Sequence, residues 1–527
     1  MSASTQASNP SALAPPPPVD QPTLPSKHTG LLMVAVMGVS IIQFLDLTIA
    51  NVALPHMQTS LGASFETISW VMTSFIIAGV LVLPLTGWLS DRFGSRNLFM
   101  GATVMFLLSS MLCGTATSLT QMVIFRAVQG VAAAFIGPMS QTIMFDINPP
   151  SKQARAMSIW GMVVMIGPIS GPFLGGFLTE TLNWRWVFYV NLPIGIPALV
   201  LLWWLLPSRP IVKRQLDIFG AVVLGLGLGA LQLMLDRGQH NDWFESTEIV
   251  VELIVALSAL WIFFIHSRSI SYPLFKREML TDRAFLVGVG FMIILGITNV
   301  GLSAVLPTMY QSVYGYDVMD TGLLMAPRGC GVLLMMLVTS RLLAKVDSRL
   351  MITLGYLLAA FSLWTMTTWS LDMDYHMIAV SAFIQGLGLG LVFVPINLIA
   401  FSSLAPQYRT DGTTLMTLFR NLGSSFGISA IVTVLARNIQ TSHADIGAHV
   451  TSFNVPAIDP AATAEVLGGP GASLLYMLDG EVNRQAAMIA YIDNFYMLFW
   501  LILFIAPLAW IVKRPVTPGS QPVDSGH

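Results

Sequence analysis

Long apolar runs broken by short polar connections set the rhythm of this chain. A helix needs about twenty apolar residues to cross a hydrocarbon core of roughly 30 Å. Fourteen stretches meet that requirement, near 31–55, 69–89, 98–116, 121–143, 155–178, 186–206, 217–236, 248–267, 284–310, 319–340, 350–369, 376–401, 411–436 and 490–512. Each predicts a membrane-spanning helix. The opening MSASTQASNPSALAPPPPVDQPTLPSK is polar and proline-rich, and VTPGSQPVDSGH closes the chain in the same manner. Both are expected to be disordered tails, the first without the basic and then short apolar layout of a cleaved leader. One long connection, about 437–489, holds no convincing span.

Composition narrows the class. Apolar residues make up 54% of the 527 positions and charged residues 10%, against about 25% charged in soluble domains. The net charge of −2 implies no pull toward nucleic acid. Two cysteines exclude a disulfide framework. Neither a metal-ligand spacing nor a GxxxxGK[ST] phosphate loop is present, so metal chemistry and ATP hydrolysis are not expected.

Charge placement gives an orientation. Of the 25 Lys and Arg residues, eighteen fall in segments on the side of the termini, four on the other side, and Arg126, Arg328 and Arg420 inside spans. That bias predicts cytoplasmic termini. A weak repeat aligns GWLSDRFGSR, from Gly87, with SRLLAKVDSR, from Ser340, at an offset of 253; Gln129-Gly130 meets Gln385-Gly386 at 256. The expected organisation is a cytoplasmic tail at 1–30, a six-helix half at 31–206, a linker with two inserted helices at 207–283, a second six-helix half at 284–512 carrying the long outside loop, and a cytoplasmic tail at 513–527. The fold class is an all-α polytopic membrane protein, and paired halves with a site between them are a transporter architecture.

Five motifs carry candidate chemistry. In FLDLTIANVALP, Asp46 lies within the first span, where a charge costs at least about 2.5 kcal/mol. It shares a helical face with Gln43, Ala50 and Ala53, a stripe expected to line a water-filled cavity. In FRAVQG, Arg126 and Gln129 stand one turn apart; an arginine cannot readily shed its proton and must pair or face water. The sequence leaves Arg126, Arg328 and Arg420 open as partners of Asp46. GWLSDRFGSR offers Gly87 and Gly94 for a tight turn and Asp91, Arg92 and Arg96 as a charge cluster able to latch the halves, or simply to anchor the cytoplasmic side. GPISGPFLGG places Gly167, Gly171 and Gly175 on one stripe for close helix approach, with Gly176 beside it and Pro168 and Pro172 bending the helix. Arg328, Arg420 and Asn397 in the second half join Gln43 and Gln129 as expected cavity-lining residues.

Together these motifs resemble the fourteen-helix drug:proton antiporters of the major facilitator superfamily, EmrB type, over nearly all of 31–512. NWRWVFYVNLPIG, LDRGQHNDWFES and QAAMIAYIDNFYMLFW are similar to that branch as well. Ser95 and Asn97 depart from the basic residues common in the loop motif. The resemblance implies a major facilitator fold in a bacterial inner membrane. It implies export of amphipathic or hydrophobic toxic compounds by alternating access, with Asp46 and Arg126 coupling the step to protons and no cofactor beyond the proton gradient. It further implies a periplasmic adaptor of the EmrA type and a TolC-like outer-membrane channel. Two rivals remain at this point: a same-fold transporter of one metabolite, fatty acid or siderophore, and a non-transporting receptor or scaffold.

Overall fold

A computed structural model describes residues 20–450 and 472–511, apart from 213, 214, 240 and 344. Among the described residues fourteen long helices make up the body. They are α1 (Thr29–Leu61), α2 (Trp70–Phe93), α3 (Ser95–Thr115), α4 (Leu119–Asp146), α5 (Pro150–Thr181), α6 (Trp186–Leu205) and α7 (Ile218–Arg237). Then follow α8 (Thr247–Ser269), α9 (Arg283–Ser312), α10 (Val318–Leu342), α11 (Ser348–Met366), α12 (Tyr375–Ser402), α13 (Arg409–His449) and α14 (Ala472–Ile505). Among the described residues thirteen of these are long and apolar enough to cross a membrane, and α5, with 32 residues, is the fourteenth by length. The fourteen crossings read from the apolar runs are therefore present.

Caps explain where the helices begin. Ser118, Asp217, Asp282, Asp317, Asp347 and Asp374 each accept a hydrogen bond from a backbone N–H in the first turn that follows, satisfying donors that helix geometry leaves without partners. Gly94, at φ 85°, makes the sharp turn from α2 to α3, a conformation costly for any residue with a Cβ.

The first half, α1–α6, and the second, α9–α14, are joined by α5 against α10 and α12 and by α4 against α13. The inserted α7 lies against both halves: Thr73 of α2 donates to Asp236 (2.6 Å), and Ser425 of α13 donates to Gln232 (3.0 Å). Its partner α8 packs along α7 and turns Ile254, Leu257, Trp261 and Ile265 outward, as expected of a helix facing lipid.

An even number of crossings brings both chain ends to one face, called here the terminal face. Two expectations are corrected by the structure. The segment 437–489 is not a plain loop: α13 runs on to His449 and α14 begins at Ala472. The polar composition hid these extensions because they lie outside any apolar run. His443 pairs with Asp479 (3.0 Å) and Asn438 donates to Asp493 (3.1 Å), holding the two helices as a hairpin arm; residues 451–471 are outside the described ones. The described part of the expected tail, 20–28, also packs against the body. Asp20 accepts from the backbone and hydroxyl of Ser151 (3.0 and 2.7 Å), and the Leu24 N–H donates to the Asp146 carbonyl (2.9 Å).

Candidate functional site

Asp46 sits halfway along α1, fully buried inside the first half. Its Oδ2 meets Nη1 of Arg126, also fully buried, at 2.6 Å. Its Oδ1 accepts from Gln129 Nε2 (3.0 Å) and from Asn191 Nδ2 (3.1 Å). The three-residue spacing on α4 lets one turn deliver both Arg126 and Gln129, and Arg126 also donates to Gln129 Oε1 (2.7 Å) and to the Val71 carbonyl (3.3 Å). The Phe75 ring lies 4.3 Å and the Phe188 ring 5.7 Å from the guanidinium carbon. Among the three interior arginines, Arg126 is thus the partner of Asp46. A buried pair of this kind is stable only when its remaining hydrogen-bonding groups are met, and Gln129, Asn191 and Val71 meet them.

Asn191 was missed as a site residue by sequence reasoning. It opens the main segment of α6 and also donates to Ser110 of α3 (2.9 Å). The signal was a single amide after the aromatic cluster WVFYV, with nothing in the sequence to say which helix it faced. The expected water-lined stripe is also corrected. Gln43, Asp46, Ala50 and Ala53 are all buried against protein, because α4, α5 and α6 close over this face of α1. Gln43 lies against Gly137, apart from the carboxylate.

The glycine stripe on α5 packs on α1 within the same half. A Cβ on Gly167 would come within 2.6 Å of the Phe44 carbonyl carbon, one on Gly171 within 2.7 Å of Thr48 Cβ, and one on Gly175 within 3.1 Å of the Ile49 oxygen. Thr48 donates to the Gly167 carbonyl (3.1 Å). Gly176 meets nothing, and the side chains of Pro168 and Pro172 lie outside the described residues. The stripe therefore fixes the helix that carries Asp46.

At the terminal face, Gly87 leaves room for the buried carboxylate of Asp411 on α13. Asp91 accepts from the Val212 N–H through its carbonyl, Arg96 donates to the Trp203 carbonyl, and Arg92 is exposed. A further ionic tie between the halves lies nearby. Buried Asp146, at the end of α4, is held by Arg209 of the linker (2.5 Å) and Arg409 of α13 (3.1 Å). Arg409 also donates to Thr23, and Arg209 to Thr410. Deeper in, Gln141 pairs with Asn397, Thr142 with Thr413 (2.8 Å), and Trp160 stacks on Phe393 at 6.1 Å. The halves are closed against each other at this end.

The two remaining interior arginines stand apart from Asp46. Arg328 donates to Asn299 and Ser303, and Arg420 lies 6.0 Å from the Phe44 ring of the other half. Among the described residues no three His, Cys, Asp or Glu side chains come together as metal ligands.

Two pseudo-repeated helical halves packed against each other define a transporter architecture. The chain belongs to the Major Facilitator Superfamily, whose family model matches residues 36–428. Within it the chain is of the EmrB type: it is 31% identical over 492 residues to the multidrug export protein EmrB of Escherichia coli (strain K12), covering 93% of this chain and 96% of that one. It is 32% identical over 504 residues to the fatty acid resistance protein FarB of Neisseria gonorrhoeae, covering 94% and 98%. The fold is shared with the human organic anion transporter MFSD10, at TM-score 0.56 and 14% identity over 90% of this chain and 99% of that one.

Proposed function

We propose that this protein exports amphipathic or hydrophobic toxic compounds from a bacterial cytoplasm in exchange for protons, by alternating access. The observation that carries the reading is the fully buried Asp46–Arg126 pair, satisfied on every side within one half. A proton taken up on Oδ2 removes the charge that holds Arg126 and turns that oxygen from acceptor to donor, while Oδ1 can still accept from Gln129 and Asn191, so protonation loosens the ion pair itself. That change at α1 reaches α5 through the glycine stripe, and α5 packs directly on α10 of the other half. One proton supplies about 1.4 kcal/mol per pH unit and roughly 2.3 kcal/mol per 100 mV, so two could sustain more than a hundredfold substrate gradient. The names of the EmrB relatives support a multidrug cargo, and that of FarB keeps a fatty-acid cargo as the second reading.

The positive-inside bias supports a cytoplasmic terminal face in the inner membrane. The Asp146 cluster is then the cytoplasmic latch and the arm of α13 and α14 projects into the periplasm. There it would meet an adaptor of the EmrA type that leads to a TolC-like channel. Deleting about 445–480 should weaken adaptor co-purification more than transport in liposomes; unchanged co-purification moves the docking surface elsewhere.

Proteoliposomes with an imposed pH gradient test the central reading. Wild type should show substrate-dependent proton flux, and a well-folded Asp46→Asn protein should bind substrate with no coupled flux. Full flux in Asp46→Asn would remove Asp46 from coupling.

A further inference from the structure

The second half holds a chamber equivalent to the Asp46 site with its charges rearranged. The offset of 253 carries Asp46 onto Asn299 and Phe75 onto Arg328, while 256 carries Gln129 onto Gln385 and Arg126 onto Ala382. Packing supports the match: Gly130 rests on the backbone of Phe75 and Gly386 on the backbone of Arg328. The guanidinium has moved from one helix to its neighbour, and the carboxylate has become an amide.

Arg328 is buried, and its partners are neutral: Asn299 Oδ1 (2.6 Å), the Asn299 carbonyl (3.1 Å) and Ser303 Oγ (2.6 Å). Among the described residues no carboxylate lies within ion-pair distance of it. A buried cation without a counter-charge is costly, and arginine cannot relieve the cost by losing its proton. Beside it lies a cavity of about 30 Å³ whose polar lining is Arg328, Asn299, Gln385, Thr298 and Tyr356, among apolar side chains. Buried Gln385 has no hydrogen-bond partner for its Oε1, so its amide is free to turn its NH₂ group inward. Asn299 itself sits in a π-helical turn, Gly296–Val300, a deviation that often marks functional positions.

We propose that Arg328, Asn299 and Gln385 form a binding site for one small monovalent anion, either chloride or the carboxylate head of an amphipathic acid. The anion supplies the charge that Asp46 supplies in the first half, and the cavity is of the size of one such group. The free-ion form stands independently of the export reading; the acid-head form rests on it.

Full-length protein in nanodiscs is prepared in sulfate buffer, and its thermal midpoint is titrated with chloride or with hexanoate at constant ionic strength. A saturable rise with chloride identifies a free ion; a rise with hexanoate alone identifies an acid head group. In Asn299→Asp the chain provides its own carboxylate, so half-saturation should weaken by on the order of tenfold or more without loss of fold. Arg328→Gln should abolish the response if it folds. No saturable rise with either anion in wild type, or an undiminished one in Asn299→Asp, overturns the proposal. Proton-coupled transport of a neutral dye, recorded on the same preparations, bears only on the export reading.

Discussion

Both halves bury an arginine in the same chamber, but only the first neutralises it from within. Arg126 has a carboxylate, an amide, a carbonyl and two aromatic faces around it. Arg328 has an amide, a hydroxyl and a carbonyl. One scaffold thus carries a closed, internally balanced network and an open, unbalanced one. What duplication preserved is the helix packing; the chemistry is free to differ between copies.

The comparison can be broken most severely by leaving the first half's carboxylate alone. Arg126→Met should cost about 3–5 kcal/mol, because truncating one partner strands the other; chemical unfolding in detergent measures it, and an unchanged midpoint would mean that the pair is not buried in this way. Moving the guanidinium as the second half does, in Arg126→Ala with Phe75→Arg, should recover a large part of that loss, since position 75 faces the same chamber. A double variant no more stable than Arg126→Ala would deny the equivalence of the two chambers.

Packing should respond more evenly than charge. At the offset of 256, Gly167 and Gly171 correspond to Gly423 and Gly427, which rest on Ile293 and Ile297 of α9 as the first pair rests on α1. Gly171→Leu and Gly427→Leu should each cost roughly 1–3 kcal/mol by overpacking, read from thermal midpoints and from proton leak. A harmless substitution in one half alone would show that the glycines serve only the other.

The smallest effect concerns the segment at 20–28, which touches Ser151, Asp146 and Arg409. The Ser151 backbone N–H, with its hydroxyl, holds the Asp20 carboxyl below its ordinary range. A lowered folded value means that the contribution is complete above the ordinary carboxylate pKa and is lost as pH falls through the lowered one. Asp20→Ala should therefore raise tryptic cleavage at Lys27 slightly at neutral pH, and the difference should vanish only in strong acid, below the ordinary carboxylate range, as read with an acid-active protease that cuts in the same segment. Equal cleavage at neutral pH would show that this anchor does not hold the segment.

Much of this was legible in the chain. Apolar run length gave the crossings, because the bilayer imposes a length and permits few alternatives. The spacing of Arg126 and Gln129 gave one wall of the site, since helical periodicity is local. Their pairing with Asp46 over Arg328 or Arg420, and the contribution of Asn191, depend on which helices are neighbours, which no local pattern encodes. The same limit left open which helix the glycine stripe approaches; it is α1. Residues 437–449 failed differently: hydropathy detects helices through their contact with lipid, and this stretch, RNIQTSHADIGAH, is helical beyond it.

That long α13 has a mechanical consequence. Its 41 residues make a rod of about 60 Å, tied at its foot by Arg409 to Asp146 and braced along its length by α14. A tilt of about 10° pivoting at the foot carries the far tip roughly 10 Å. The rod is a lever arm: under the alternating access proposed above, small rotations that separate the halves would become large strokes at its far end, and anything gripping the tip would feel each turnover as a swing.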